Sequence, residues 1–145
     1  MQLTHAILLV GAFLAGCGGM MTGSDAMRGA VGDAVDEDQH HLTAARTVTS
    51  KPAMFDEVDR HTSRMTAITD DMRTHMASMQ DCSNIESIMD LRDGMRAELE
   101  MHAATMHAAT DLVDARAEVE HHVGTMGTML GTMGSMLDRT HCSGW

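Results

Sequence analysis

Apolar residues and histidines recur at steps of three and four along the chain after Pro52. The first seam comprises Met54, Val58, His61, Met65, Ile68, Met72, His75 and Met79. A seam with this heptad spacing predicts a helix of roughly 27 residues that buries one face. Ser50-Lys51-Pro52 marks its start, because proline is tolerated in the first turn of a helix and not in its middle.

Two further seams predict two more helices. One contains Ile85, Ile88, Met95, Leu99, His102 and Met106, and the other contains Leu112, Ala115, Val119, His122, Met126, Met129, Met133 and Met136. The stretch Ser83-Asn84-Ile85-Glu86 has the Ser-x-x-Glu form of a capping box, and Asp111 is a candidate N-cap. A single helix to about residue 123 is the alternative, because no Gly or Pro stands between residues 95 and 123.

The N-terminus carries a short apolar run, AILLVGAFLAG at residues 6 to 16, which is too short to cross a bilayer as a mature helix. The tetrapeptide Leu14-Ala15-Gly16-Cys17 that ends at Cys17 resembles the lipobox of bacterial lipoproteins, although residues 1 to 5 lack Lys and Arg. The resemblance implies a signal peptide at 1–16, lipidation of Cys17 and a membrane anchor at the cell envelope. Gly18 rather than Asp after the cysteine implies the outer membrane. An ordinary apolar leader is the alternative.

Two cysteines follow the leader region, Cys82 and Cys142. An even number of remaining cysteines in an exported chain favours a disulfide between them. Two free thiols or a two-thiolate metal site are the alternatives. A hairpin with a turn near Thr110 returns Cys142 beside Cys82, whereas a single long helix would separate the pair. The hairpin is therefore preferred.

The predicted fold is all-α: an antiparallel bundle of three long helices stapled by one disulfide, with a fourth short helix allowed at residues 36 to 49. Residues 17 to 36, rich in Gly and Asp, are expected to be a flexible tether, and residues 37 to 145 the bundle domain. The formal charge of −11 argues against nucleic acid as a partner and favours attraction of cations.

Four seam histidines are each followed four residues later by a methionine. The pairs are His61 and Met65, His75 and Met79, His102 and Met106, and His122 and Met126. Residues four apart share a helix face, so each pair could present an imidazole nitrogen and a thioether sulfur to one ion. Such ligands favour Cu(I) or Ag(I), and Met129 and Met133 extend the thioether row. In composition, the chain resembles His/Met-rich periplasmic proteins that sequester copper or silver, which implies the same role here.

A packing role for the same residues is the alternative hypothesis. Methionine fills irregular helical cores well, and buried histidines often only donate a hydrogen bond. The protein would then be a structural or interaction lipoprotein, with the Gly, Thr and Ser face of residues 124 to 135 open to a partner helix.

Other chemistry finds less support in the sequence. A non-covalent haem held by one His and one Met is conceivable. A di-metal carboxylate centre needs paired Glu-x-x-His motifs, and only Glu37 with His40 and Glu118 with His121 fit. The tandem pairs His40-His41 and His121-His122 are interpreted as solvated, with surface zinc or nickel binding as the alternative. No phosphate loop or nucleophile elbow occurs, so the chain is predicted not to be an enzyme.

Overall fold

Four long helices make up the protein in a computed structural model that describes residues 22–143. They are α1 (Gly23–Thr47), α2 (Lys51–Ala77), α3 (Ile85–Ala108) and α4 (Leu112–Leu137). The helices form a ring in which α1 and α3 each pack against α2 and α4. None of the helices in the described range has the length and apolar character needed to span a membrane. The predicted leader and lipidation site at Cys17 lie outside the described residues.

The helix α1 is long, which corrects the expectation of three long helices and one short one. It spans 25 residues and begins at Gly23, so residues 23 to 36, which were predicted to belong to a tether, are helical. The Thr22 side chain accepts a hydrogen bond from the backbone N–H of Asp25 and caps the helix. Small side chains such as Ala30 and Ala34 lie on its buried face, so its apolar periodicity is weak in the sequence.

The second half of the chain is an antiparallel hairpin, as the cysteine positions predicted. Helix α3 ends at Ala108, and α4 begins at Leu112, with Asp111 accepting hydrogen bonds from two backbone N–H groups of the first turn. Cys82 and Cys142 are joined in a disulfide at the other end of this hairpin. The prediction of one disulfide is therefore confirmed.

The start of α3 differs from the expected capping box. Asn84 is the N-cap residue, with a left-handed φ of 64° and no side-chain capping bond. Asparagine adopts this region more readily than most residues. The Ser83 hydroxyl instead accepts a hydrogen bond from the backbone N–H of His141, which ties this connection to the C-terminal segment.

Two apolar clusters fill the interior, one toward each end of the bundle. The disulfide-end cluster includes Met27, Met65, Met72, Ile88, Met95, Leu99, Met126, Leu130, Met133 and Leu137. The distal cluster includes Ala45, Met54, Val58, Met106, Ala115, Val119 and Val123. On every helix the chain passes from one cluster to the other through a buried histidine.

The two hairpins α1–α2 and α3–α4 are built on matching positions. His61 and His122 lie 61 residues apart, and the same offset relates Met65 to Met126 and the start of α2 to the start of α4. Because α1 corresponds to α3 and α2 to α4 around the ring, an approximate twofold axis runs along the bundle between the hairpins. Residues near this axis meet their counterparts from the other hairpin.

A candidate metal centre of four histidines

One histidine from each helix enters the layer between the two apolar clusters. These are His41, His61, His102 and His122, and all four are 0% exposed. His41 stacks on His61 with ring centroids 3.9 Å apart, and His102 stacks on His122 at 4.0 Å. The two stacks meet edge to face, with His61 and His122 centroids 5.4 Å apart. Four imidazoles therefore share one buried layer at the twofold axis.

Each of these rings is held by a glutamate on the neighbouring helix of its own hairpin. The Nδ1 atoms lie near carboxylate oxygens in four pairs: His41 with Glu57 (2.9 Å), His61 with Glu37 (3.2 Å), His102 with Glu118 (3.2 Å) and His122 with Glu98 (3.1 Å). An ionised carboxylate can only accept a hydrogen bond, so Nδ1 carries the proton and donates it. Where the glutamate is ionised, this fixes the tautomer in which Nε2 presents a lone pair.

The sequence produces this pairing through one motif, Glu-x-x-x-His, which occurs on all four helices. It places Glu37 before His41, Glu57 before His61, Glu98 before His102 and Glu118 before His122. Residues four apart share a helix face. Since the two helices of a hairpin are antiparallel, the glutamate of one helix lies level with the histidine of the other. Each hairpin thus forms two reciprocal His–Glu pairs.

In each of the four rings, Nε2 is the nitrogen that does not face a glutamate. The Nε2 atoms of His61 and His122 are 3.3 Å apart. With both Nδ1 atoms protonated, two lone pairs oppose each other across this distance. Among the described residues, the Nε2 atoms of His41 and His102 are buried without a hydrogen-bond partner. Ligands at 2.0–2.1 Å from a tetrahedral ion are about 3.3 Å from one another, so the His61–His122 spacing fits two nitrogens on one ion.

Asp38 is a fifth buried group in the layer. It is 2% exposed, and neither carboxylate oxygen has a hydrogen-bond partner in the described part of the chain. Its Oδ1 lies 3.8 Å from Nε2 of His61, and Asp38, His61 and His122 can each place one ligand atom within 4.8 Å of the others. Burial, and secondarily the charge of Glu37, raises the pKa of Asp38 to about 7. This group of three could hold a metal ion.

The electrostatics of the layer favour neutral imidazoles beside an excess of negative charge. Burial lowers the pKa of all four histidines, that of His122 to about 4. Arg60 bridges Glu37 and Glu57 at 2.9 and 2.7 Å. The layer contains five carboxylates, those of Asp38 and of the four glutamates. Within the described range, Arg60 is the one Lys or Arg whose side chain lies within 4 Å of any of them. Neutral imidazoles are ready ligands, and the charge excess favours a cation.

Three of the four histidines predicted as ligands meet in this layer. His61, His102 and His122 do, whereas His75 follows His61 by 14 residues on α2, and its half-buried position is roughly 21 Å further along the helix at 1.5 Å per residue. His41, assigned from sequence to a solvated tandem pair, is the missing fourth member. Of the pair His40-His41, His40 is exposed and His41 is buried.

The predicted thioether ligands lie on either side of the histidine layer. Met65 and Met126 are fully buried one turn beyond their histidines in the disulfide-end cluster, and Met106 is fully buried in the distal cluster. Met79 and Met133 belong to the disulfide-end cluster, and Met129 packs against it partly exposed. The methionines thus complete the apolar walls above and below the imidazoles.

The sequence named Glu37 and Glu118 only as parts of Glu-x-x-His motifs, and it did not predict any of the four glutamates as a partner of a buried ring. The signal was the fourfold recurrence of Glu-x-x-x-His at the 61-residue offset. A search for Glu-x-x-His, one residue shorter, selects the exposed His40 and His121 instead.

Comparison of the chain with protein-family models, curated proteins and solved structures finds no match. The geometry of the histidine layer therefore carries the functional argument by itself.

Proposed function

We propose that this protein binds a transition-metal ion at the four-histidine layer and sequesters it inside the bundle. The lipobox-like N-terminus extends the proposal to a protein anchored at the cell envelope. The ion is cargo or a permanent structural element of a protein that is not an enzyme.

The observation that carries the proposal is the orientation of the four rings. Every Nδ1 faces a carboxylate, and the Nε2 atoms of His61 and His122 oppose each other at 3.3 Å. Unpaired buried acceptors are costly to a fold, and with the four glutamates ionised none of these nitrogens can donate to another. A cation between them converts this repulsion into coordination. A carboxylate on the second nitrogen of a ligating histidine is the usual support for such a bond.

The donor set indicates the class of ion. Imidazole nitrogen suits zinc, copper, iron and nickel, whereas magnesium and calcium prefer shells made of oxygen. The burial of all four rings favours slow exchange and retention of the ion.

The alternative proposal is a structural or interaction lipoprotein in which His and Met serve only as core. Under that alternative the four rings would be packing residues, and apolar replacements would be harmless or stabilising. The buried polar atoms of His41, His102 and Asp38, which have no hydrogen-bond partner among residues 22–143, favour the metal proposal, because a core without an ion gains nothing from them.

The test is a titration of the chelator-treated, disulfide-intact protein with Co(II) and Zn(II), followed by visible absorption and chelator competition. We expect saturable binding that His122→Gln abolishes and that His75→Gln leaves unchanged. His75 is the matched control, because it is a seam histidine outside the layer. Circular dichroism verifies that both variants fold. The proposal fails if the folded wild-type chain binds neither ion, or if His122→Gln binds as the wild type does.

A further inference from the structure

Asp38 breaks the approximate twofold symmetry of the layer. The four histidines and the four glutamates all obey the 61-residue offset, but the counterpart of Asp38 is Leu99. Both residues are buried, at 2% and 2% exposure. The same place in the fold therefore accepts an apolar side chain in one hairpin and carries a carboxylate in the other.

Nothing in the described part of the protein compensates for burying this carboxylate. Its two oxygens lack hydrogen-bond partners there, and Arg60 pairs with Glu37 and Glu57 instead. An isolated buried carboxylate is among the most costly groups a core can contain. Because Leu99 shows that packing does not require a carboxylate at this place, the role of Asp38 lies in what it faces.

Asp38 faces the coordinating edges of two imidazoles. Its Oδ1 is 3.8 Å from Nε2 of His61, and one ligand atom from each of Asp38, His61 and His122 falls within 4.8 Å of the others. An ion bound by the two nitrogens would thus have an anionic oxygen beside it on the α1 side and the apolar Leu99 position on the α3 side.

We infer that Asp38 is an anionic ligand to the bound metal and makes the centre selective for divalent over monovalent ions. The inference rests on the proposed function and names the class of its ion. A carboxylate oxygen is a hard, charged donor that binds Zn(II), Co(II) or Cu(II) well, whereas Cu(I) and Ag(I) prefer soft neutral donors. Selectivity for charge would then reside in one side chain of an otherwise symmetric site.

The experiment compares binding of Zn(II), Co(II) and Ag(I) by the full chain and by Asp38→Asn. We expect the substitution to weaken Zn(II) and Co(II) binding by at least about tenfold and to change Ag(I) binding by less than about threefold. The Co(II) absorption bands should also shift, because an oxygen ligand is lost. Asp36→Asn, an exposed aspartate on the same helix, is the matched control and should match the wild type.

The pseudo-symmetry offers a second variant that moves the carboxylate without removing it. Asp38→Leu alone should lose the preference for divalent ions. The double variant Asp38→Leu with Leu99→Asp should regain it. Equal divalent binding by the wild type and Asp38→Asn overturns the inference. An equal loss of Ag(I) binding overturns it too, as does a folded double variant that behaves like Asp38→Leu. If the wild type binds no ion, the proposed function itself fails.

Discussion

Replacing Asp38 by asparagine should stabilise the metal-free protein at neutral and alkaline pH. The pKa of Asp38 is about 7 in the fold, against an ordinary value of 3.8. A difference of about three pKa units at roughly 1.4 kcal/mol each means that the ionised side chain lowers the free energy of unfolding by about 4 kcal/mol. The asparagine side chain cannot ionise, so this penalty disappears in the variant.

The pH dependence of this gain follows from the direction of the shift. Because the folded-state pKa is raised, there is no penalty well below pH 3.8, where Asp38 is protonated in both the folded and the unfolded chain. The penalty grows as the pH rises from about 4 to 7 and is constant above that. The four buried histidines are the same in both proteins, so their contribution largely cancels in the comparison.

The assay is urea unfolding of the wild type and Asp38→Asn at pH 4.5, 6 and 8 in the presence of a chelator. We expect a difference of about 1 kcal/mol at pH 4.5 and about 4 kcal/mol at pH 8, the latter equivalent to roughly 15 °C in melting temperature. Asp36→Asn should change neither value by more than about 0.5 kcal/mol, because Asp36 is exposed. A gain that is equal at all three pH values, or absent at pH 8, would refute the reasoning.

Three further predictions concern the shell around the layer. Glu98→Gln should weaken Zn(II) binding by about 10–100-fold in chelator competition, because an amide no longer fixes the tautomer of its histidine, and unchanged affinity would contradict this role. Met65→Leu with Met126→Leu should change the free energy of unfolding by less than about 1.5 kcal/mol and leave Zn(II) affinity intact. A selective loss of Cu(I) affinity would instead support the thioether ligands predicted from the sequence. Cys82 and Cys142 lie 60 residues apart, and replacing both by serine should lower the free energy of unfolding in urea by roughly 4 kcal/mol. The absorption spectrum of the metal-bound protein should stay the same, and a changed spectrum would mean that the disulfide helps shape the site.

The heptad seams predicted α2, α3 and α4 because large apolar side chains mark their buried faces. Only the second half of helix α1 was predicted, as a short helix at residues 36 to 49, and the reason is physical. Its buried face includes alanines and Asp38, and Gly29 and Gly32 lower the helix propensity of its exposed side. Packing against α2 and α4 supplies the stability that local sequence does not reveal.

The candidate site was predicted in part for the same reason. His61, His102 and His122 lie on strong seams, so their inward orientation followed from periodicity alone. His41 was assigned to a solvated pair, because the weak apolar periodicity around it does not show which face of its helix is buried. The orienting glutamates are paired across helices, and a partner on a neighbouring helix leaves no trace in the periodicity of one segment. Only the recurrence of the whole Glu-x-x-x-His unit reveals it.

The 61-residue offset has a consequence for how such a centre can arise and diversify. Two copies of one helical hairpin, associating about a twofold axis, would form the complete layer. Each copy would supply two of the four histidines and two of the four glutamates. In such a dimer every residue at the axis appears twice, so a single carboxylate there is impossible. Fusion of both hairpins into one chain removes that restriction, since each copy can then change alone. Asp38 opposite Leu99 is a difference that a dimer of identical hairpins cannot carry.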